Sequence, residues 1–212
     1  MVRNNIKAVL FDLDGVLVDA REWHYEALNR ALALFGYSIS RYDHLTTFDG
    51  LPTREKLKQL SVTDNLPVGL HKLINSAKQS YTRDAIAQHC DPVFHIEYAV
   101  ARLKREGYSL GVCTNSIRST LHLMLDRNGL MPYFDLLLSN EDIAKPKPDP
   151  EIYLTAIDRL SLTPGEVLIV EDNQHGVAAA RAAGANVLQV ADPSEVHYAN
   201  ISQAIKTAEV TA

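Results

Sequence analysis

The chain has 212 residues, of which 46% are hydrophobic, and its formal net charge is -5. This composition provides for a sizeable core, either as one domain or as a domain that carries a smaller insertion. Acidic and basic residues are mixed along the sequence without a basic stripe, which argues against nucleic acid as a partner. No apolar segment is long enough to span a bilayer or to form the core of a signal peptide, which argues against a membrane partner.

The two cysteines favour a reducing compartment. Cys90 and Cys113 lie far apart and do not form a CxxC pair, and Cys113 sits inside an apolar run. Buried free thiols are therefore expected rather than a metal or redox site. We expect a cytoplasmic protein.

The first predicted element is a strand over Ala8–Phe11, and a helical insertion follows it. From about residue 20 to residue 88 the sequence has helical periodicity and no convincing strand. An apolar face runs from Trp23 to Phe35, and further amphipathic helices are predicted over Arg54–Leu60 and Pro67–Ala87. We predict a small helical bundle at residues 20–88, inserted into a core domain formed by residues 1–19 and 89–212.

After the insertion, short apolar runs alternate with helical patterns, and glycines mark the ends of several helices. This alternation is typical of a parallel sheet with crossover helices on both faces, so the predicted fold class is α/β. The residues after Ile201 are predicted to be a weak helix or a frayed tail. The predicted strands are Leu110–Cys113, Leu136–Leu138, Val167–Val170 and Val187–Val190. The predicted helices are His95–Glu106, Ser116–Asn128, Pro150–Leu160 and Gln174–Ala183.

Polar side chains follow four of these strands directly. In open parallel sheets, ligands collect at the carboxyl ends of the strands, so these side chains are expected to share one site. Alone, each group also fits a helix cap, a solvated turn or a proline-rich loop, but four groups at four strand ends favour a functional site. The groups are Asp12 with Asp14, then Thr114, Asn115 and Ser116, then Lys145 within KPKPDP, and finally Glu171 with Asp172.

The carboxylates predict a metal site. Residues two apart in an extended segment point to the same side, so Asp12 and Asp14 both face the site. With Glu171 and Asp172 they form an all-oxygen set without His or Cys, which suits Mg²⁺. Lys145 and the donors after the second strand supply positive charge and hydrogen bonds for an anion beside the metal. A phosphoryl group fits that anion.

The order of these motifs resembles that of the haloacid dehalogenase superfamily of phosphotransferases across essentially the whole chain. DLDGVLVD is similar to the first motif, Thr114-Asn115 to the second, Lys145 within KPKPDP to the third, and Glu171-Asp172 followed by AAARAAG to the fourth. The insertion resembles the helical cap of the β-phosphoglucomutase and phosphoglycolate phosphatase branch. The resemblance implies a Rossmann-like core and a phosphatase that acts on a small phosphorylated metabolite.

The resemblance also implies a role for each site residue. Asp12 is the nucleophile that forms an aspartyl-phosphate, and Asp14 protonates the leaving oxygen and then activates water. Mg²⁺ is held by Asp12, by Asp14 through its carbonyl and by Asp172, with Glu171 assisting through a water, and it offsets the repulsion between carboxylate and phosphate. The implied phosphate-binding groups are Thr114, Asn115 and Ser116, with Lys145 as the catalytic cation.

Substrate choice is expected to lie in the cap. His24 falls where the β-phosphoglucomutase pattern also has a histidine, and Arg54 lies in GLPTRE, which resembles a loop whose arginine contacts substrate in that branch. Arg54 suits a second anionic group, such as a distal phosphate or carboxylate of a small metabolite. The alternatives are a half-exposed helix histidine and an arginine engaged in local salt bridges.

Three functions stay open. The first is a Mg²⁺-dependent phosphatase for a small phosphorylated metabolite, with a sugar phosphate preferred. The second is a mutase of the β-phosphoglucomutase type, which His24 and Arg54 favour but which Asp49, where the mutases have lysine, and Asn115 disfavour. The third is a non-catalytic metabolite-binding protein, which the complete set of competent residues disfavours. The sequence leaves the oligomeric state open and is compatible with a monomer.

Overall fold

The computed structural model of the protein describes residues 5–210, and its centre is a five-stranded sheet. The strands are β1 (Ala8–Phe11), β2 (Ser109–Cys113), β3 (Leu136–Leu138), β4 (Val167–Glu171) and β5 (Asn186–Gln189). All pairings are parallel, and the order β3-β2-β1-β4-β5 places the first strand in the middle. The predicted strands are confirmed to within a residue at each end.

The segment that follows β1, up to His89, is mainly helical. Its helices are α1 (Arg21–Ala33), α2 (Arg41–Asp43), which continues into a π-helical turn at His44–Phe48, α3 (Thr53–Thr63) and α4 (His71–His89). Their inward faces form a hydrophobic cluster of their own, whose buried members include Leu28, Leu57 and Ile74. The inserted helical cap is therefore confirmed, whereas its boundaries at residues 20 and 88 stay a prediction.

Five helices cover the two faces of the sheet. They are α5 (Phe94–Arg105), α6 (Arg118–Arg127), α7 (Glu151–Arg159), α8 (Gln174–Ala182) and α9 (Tyr198–Val210). Alternate residues of β1 face opposite sides. Val9 and Phe11 join a cluster with α5, α6 and α9, whereas Ala8 and Leu10 join a cluster with α7 and α8. Helices on both faces are thus confirmed.

From Ile201 to Val210 the chain is helical and not a frayed tail. Ile201 and Ile205 are both buried in the core cluster, so apolar packing stabilises α9 through the end of the described residues. Cys90 and Cys113 are buried and free, as predicted. Within residues 5–210, no helix has the length and hydropathy needed to cross a membrane.

The cap lies over the carboxyl ends of the strands and encloses a cavity of about 270 Å³ against them. Its wall on the sheet side comes from the loops after β1, β2, β3 and β4, and its opposite wall comes from α1, α3, α4 and the loop around Gly50. This volume is near the lower end of the range for small-molecule sites.

Candidate active site

The loop after β1 places two carboxylates at the floor of the cavity. Asp12 continues the strand pairing, since its backbone N–H donates to the Val170 carbonyl at 3.0 Å. Gly15 then adopts a φ of +87°, and a Cβ there would overlap the Asp172 carboxylate. Glycine is thus required at position 15 both for its backbone conformation and for the close approach of the first loop to Asp172.

The lysine of the site is Lys147. Its Nζ donates to Asp12 Oδ1 at 2.8 Å, to Glu171 Oε1 at 2.6 Å and to the Cys113 carbonyl at 2.8 Å, and its side chain is 4% exposed. Burial lowers the pKa of Lys147, but the two carboxylates outweigh burial and raise the pKa overall. Lys147 is therefore a fixed ammonium group in contact with Asp12.

Lys145 lies outside the site, so the assignment of the catalytic cation to it has to be corrected. Its side chain is 73% exposed, and its Nζ lies 3.7 Å from Asp149. The Glu151 carboxylate accepts hydrogen bonds from the backbone N–H groups of Ala144 and Lys145, which holds Lys145 at the surface. The segment KPKPDP contains two overlapping Lys-Pro-x-Pro patterns, and the pattern alone does not distinguish them.

Asn115 holds Lys147 in place. Its side-chain Oδ1 accepts from the Lys147 backbone N–H at 3.1 Å, and its Nδ2 donates to the Lys147 carbonyl at 3.3 Å. The same Nδ2 also donates to the carbonyl of Gly50 in the cap at 2.9 Å. One amide therefore connects the lysine loop with the cap loop.

Three carboxylates form a candidate metal centre. Oxygen atoms of Asp12, Glu171 and Asp172 lie within 4.8 Å of one another. Burial, followed by the neighbouring carboxylates, raises the pKa of Asp172 to about 6, although Arg21 acts in the opposite direction. The pKa of Asp12 is also raised, and burial is again the largest cause. Asp172 Oδ1 is buried and has no hydrogen-bond partner among residues 5–210. An unpartnered oxygen in an all-carboxylate set fits a divalent cation such as Mg²⁺.

Glu171 has further partners besides the cluster. It accepts from Lys147 Nζ and from the buried hydroxyl of Tyr153. A Cβ at Gly176, in the first turn of α8, would overlap its carboxylate. Glu171 is thus packed from several sides, which positions it as a structural support of Lys147 as well as a member of the acidic cluster.

The Asp14 side chain points away from that cluster and toward the cap. Its Oδ1 lies 2.9 Å from His24 Nε2, and its Oδ2 accepts from the Ser116 hydroxyl at 2.6 Å. Burial raises the pKa of Asp14, but His24, Ser116 and Lys78 outweigh burial and lower the pKa to about 2. Asp14 is therefore ionised in this arrangement. His24 and Ser116 occupy its side chain, so its backbone carbonyl is the part left for the predicted contact with the metal.

His24 connects Asp14 to a second buried lysine. Its Nδ1 lies 3.0 Å from Lys78 Nζ, and burial followed by the Lys78 charge lowers the pKa of the imidazole. An ammonium group can only donate, so His24 Nδ1 accepts and Nε2 carries the proton that is donated to Asp14. His24 was predicted at the site, whereas Lys78 was not.

The cap contributes four cations to the cavity, namely Arg21, Arg54, Lys56 and Lys78, and Arg54 is the most exposed of them. The Arg54 side chain is 52% exposed and lies 3.4 Å from Glu55, so it is at the mouth. Lys56 and Lys78 line the cavity and are each 7% exposed. A sequence signal exists for Lys78, because Ile74, Lys78, Thr82 and Ile86 form the buried stripe of α4 at intervals of four residues.

Arg21 joins the cap to the acidic cluster. Its Nη2 donates to Asp172 Oδ2 at 2.7 Å, and its Nε lies 3.4 Å from Asp49 Oδ2. Asp49 Oδ2 also accepts from Asn173 Nδ2 at 3.0 Å, and a Cβ at Gly50 would overlap the Asn173 side chain. The cap loop at positions 49 and 50 therefore contacts the loop after β4 directly.

Comparison with known proteins identifies the family. The family model for haloacid dehalogenase-like hydrolases matches residues 9–190. The chain belongs to this family. It is 29% identical over 193 residues to pyrophosphatase PpaX of Bacillus velezensis, which covers 90% of this chain and 86% of that protein. It is 30% identical over 183 residues to a phosphorylated carbohydrates phosphatase of Thermotoga maritima, with 84% and 82% covered.

Solved structures of the haloacid dehalogenase family share the fold. A β-phosphoglucomutase from Clostridium difficile matches with a TM-score of 0.84 at 21% identity, over 97% of this chain and 99% of that chain. CbbY from Rhodobacter sphaeroides, solved in complex with xylulose-(1,5)bisphosphate, matches with a TM-score of 0.79 at 24% identity, over 87% and 85%. The predicted membership and the enzyme class, a hydrolase with phosphatases among its relatives, are confirmed.

The structure brings together most of the residues that the family motifs indicated. Lys145 is the exception, and Arg54 reaches only the mouth of the cavity. The site residues that were not predicted are Arg21, Lys56, Lys78 and Lys147. All four are cations. The partners of Arg21 and Lys147 lie far away in sequence, so local patterns did not indicate these two, whereas the buried stripe of α4 carries a signal for Lys78. The predicted residues that line the cavity are Asp12, Asp14, His24, Arg54, Thr114, Asn115, Ser116, Glu171 and Asp172.

Proposed function

We propose that the protein is a Mg²⁺-dependent phosphatase that hydrolyses a small phosphorylated metabolite, preferably a sugar phosphate, through an aspartyl-phosphate. The observation that carries the proposal is the buried Asp12 carboxylate, held at 2.8 Å by Lys147 and facing a cavity of small-metabolite size. The phosphatase names of the relatives from Bacillus velezensis and Thermotoga maritima support it. The free buried cysteines support a cytoplasmic location.

In the first step, an Asp12 oxygen attacks phosphorus as the ester P–O bond breaks, and Asp14 delivers a proton to the leaving oxygen. Asp14 has first to gain that proton, since its pKa of about 2 keeps it ionised in the arrangement described. His24 Nε2 can pass its proton to Asp14 while Lys78 replaces it at Nδ1. Burial lowers the pKa of Lys78 to about 7, which suits proton transfer near neutral pH.

In the second step, Asp14 removes a proton from water as the water oxygen attacks phosphorus and the bond to Asp12 breaks. Inorganic phosphate leaves and the Asp12 carboxylate is restored. Lys147 keeps Asp12 oriented in both steps through its 2.8 Å contact. Mg²⁺ bound by Asp12 and Asp172, with the Asp14 carbonyl and Glu171 nearby, would supply charge that offsets the repulsion between nucleophile and phosphate.

Phosphate release from a panel of phosphorylated metabolites tests this proposal. We expect release that requires Mg²⁺ and stops with a chelator, and an Asp12→Asn variant whose rate is lower by about 10³-fold or more. Unchanged release by Asp12→Asn would exclude Asp12 as the nucleophile. A complete lack of release across the panel by the Mg²⁺-loaded enzyme would favour the non-catalytic alternative.

A sugar phosphate mutase is the second candidate, because His24 of the cap contacts the acid-base residue Asp14. Asp49 counts against it, since its carboxylate is engaged with Arg21 and Asn173 instead of offering a cation to substrate. Incubation with β-glucose 1-phosphate and a trace of the bisphosphate separates the two functions. Free phosphate is expected, and formation of glucose 6-phosphate in its place would establish the mutase.

A further inference from the structure

The cap wall of the cavity carries two buried lysines without a carboxylate partner. The Lys56 ammonium makes no hydrogen bond or ion pair within the described residues 5–210, and the Lys78 ammonium contacts only His24 Nδ1. By contrast, Lys147 on the sheet side and Arg21 at the start of α1 each contact carboxylates at 2.6 to 2.8 Å. The unbalanced positive charge is therefore confined to Lys56 and Lys78.

Such an arrangement is costly unless something compensates for it. An ammonium group loses hydration when it is buried, and its neighbours have to repay that loss. Burial lowers the pKa of Lys56 to about 8, against the attraction of Asp49 and Asp14, and the pKa of Lys78 to about 7. Lys56 and Lys78 also repel each other. An anion placed between the two ammonium groups would remove the repulsion and supply the missing hydrogen-bond acceptors.

We infer that Lys56 and Lys78 form an anion-binding subsite in the cap, and that the substrate carries a second anionic group, a phosphate or a carboxylate, at the end remote from the reacting phosphate. This inference rests on the proposed function, because it assigns the reacting phosphate to Asp12. Asn75 and Gln79 line the same wall and offer amide donors on α4. Arg54 at the mouth adds a third positive charge on the path of an entering dianion.

Lys58 shows that burial of Lys56 is not a general property of α3. Only two positions further along the same helix, the Lys58 side chain is 65% exposed, and its Nζ lies 3.0 Å from Glu55. Glu55 and Lys58, three positions apart, share the exposed face of the helix, whereas Lys56 is directed into the cavity. Lys58 supplies a matched control for the charge of Lys56.

Direct binding tests the subsite independently of catalysis. Calorimetric titrations with Mg²⁺ use the Asp12→Asn variant, which cannot turn over its ligands, and three probes: fructose 6-phosphate, fructose 1,6-bisphosphate and 6-phosphogluconate. We expect at least one doubly anionic probe to bind about tenfold or more tightly than fructose 6-phosphate, since a charged hydrogen bond is worth a factor of this order. The bisphosphate and the gluconate distinguish a distal phosphate from a distal carboxylate.

The same titrations on three further variants, each combined with Asp12→Asn, assign the preference to Lys56. Lys56→Met should reduce the preference for the doubly anionic probe over fructose 6-phosphate to less than about threefold. Lys56→Arg should retain most of this preference, and Lys58→Met should leave it unchanged. Thermal melts verify that each variant is folded. Equal affinities for all three probes, or an equal loss with Lys58→Met, would overturn the inference.

The two proposals can fail separately. If the wild-type enzyme releases no phosphate but the Lys56-dependent preference is present, the subsite stands and the proposed function is wrong. If phosphate release depends on Asp12 and the preference is absent, the phosphatase stands and the subsite is wrong.

Discussion

At the scale of single residues, the site depends on which of two neighbouring lysines turns inward. Lys147 is 3% exposed and contacts Asp12, whereas Lys145 is held at the surface by Glu151. The two side chains have the same charge, and each lysine is followed by a proline. Their environments differ because Asn115 binds the backbone of Lys147 on both sides.

Substitution of Lys147 and of Lys145 distinguishes the buried lysine from the exposed one. Lys147→Met leaves Asp12 and Glu171 as a buried pair of carboxylates without a cation, so kcat/KM should fall by about 10³-fold. Lys145→Met removes only an exposed contact to Asp149 and should stay within about twofold of wild type. Initial rates at saturating Mg²⁺ measure both. A larger loss with Lys145→Met than with Lys147→Met would restore the original assignment.

Asp172 gives a second prediction at this scale. Mg²⁺ should raise the melting temperature of the wild-type protein by a few degrees, because a cation offsets the burial and the repulsion from Glu171 that raise the pKa of Asp172 to about 6. The shift should disappear in Asp172→Asn and persist in Asp126→Asn, whose carboxylate is exposed on α6. Thermal melts with Mg²⁺ or a chelator measure it. A full shift in Asp172→Asn would place the metal elsewhere.

At the scale of elements, the sequence predicted strands and sheet-side helices well because each is bounded by abrupt changes in polarity. β1 passes from Phe11 to Asp12, and β4 from Val170 to Glu171, and such steps are visible locally. The inward direction of Lys56 depends on how α3 packs against the rest of the cap, whereas Lys78 has a local signal in the buried stripe of α4. The correct lysine of the KPKPDP loop depends on Asn115, which is distant in sequence.

The contact between the cap loop and the core can be tested at Gly50. It has a φ of +73°, and a Cβ there would overlap the Asn173 side chain, whereas Gly36 has a φ of +80° and open space around it. Gly50→Ala and Gly36→Ala therefore introduce the same backbone strain. Only Gly50→Ala also places a methyl group against Asn173 and disturbs the contact between the cap loop and the core. We expect kcat/KM to fall about 10- to 100-fold for Gly50→Ala and by no more than about twofold for Gly36→Ala. Equal losses would mean that backbone strain alone is responsible.

At the scale of the whole molecule, the buried cations of the cap reduce stability in favour of binding. The pKa of Lys78 is about 7 in the folded protein, below the ordinary value of 10.5. The folded state therefore binds this proton less tightly than the unfolded chain does. Stability is lost as the pH falls from about 10.5 to about 7, and the cost is constant below that window.

Lys78→Met removes this cost. Without ligand, its free energy of unfolding at pH 7 should exceed that of wild type by about 1–3 kcal/mol, and the difference should shrink toward pH 10. Lys72→Met, at an exposed position of the same helix, should show little difference at either pH. Urea unfolding at both pH values measures the effect. A less stable Lys78→Met at pH 7 would show that the lysine contributes more to packing than its charge costs.

The hydrophobic cluster of the cap, which is separate from the two clusters of the sheet, has a consequence for how new specificities can arise. The groups that handle the reacting phosphate are anchored in loops of the sheet, whereas Lys56 is anchored in the cap. A change around Lys56 that keeps Arg21, His24 and Lys78 can therefore alter which molecules are accepted without disturbing bond cleavage. Exchange of α3 for the corresponding helix of a relative is thus a practical way to redirect this enzyme toward other metabolites.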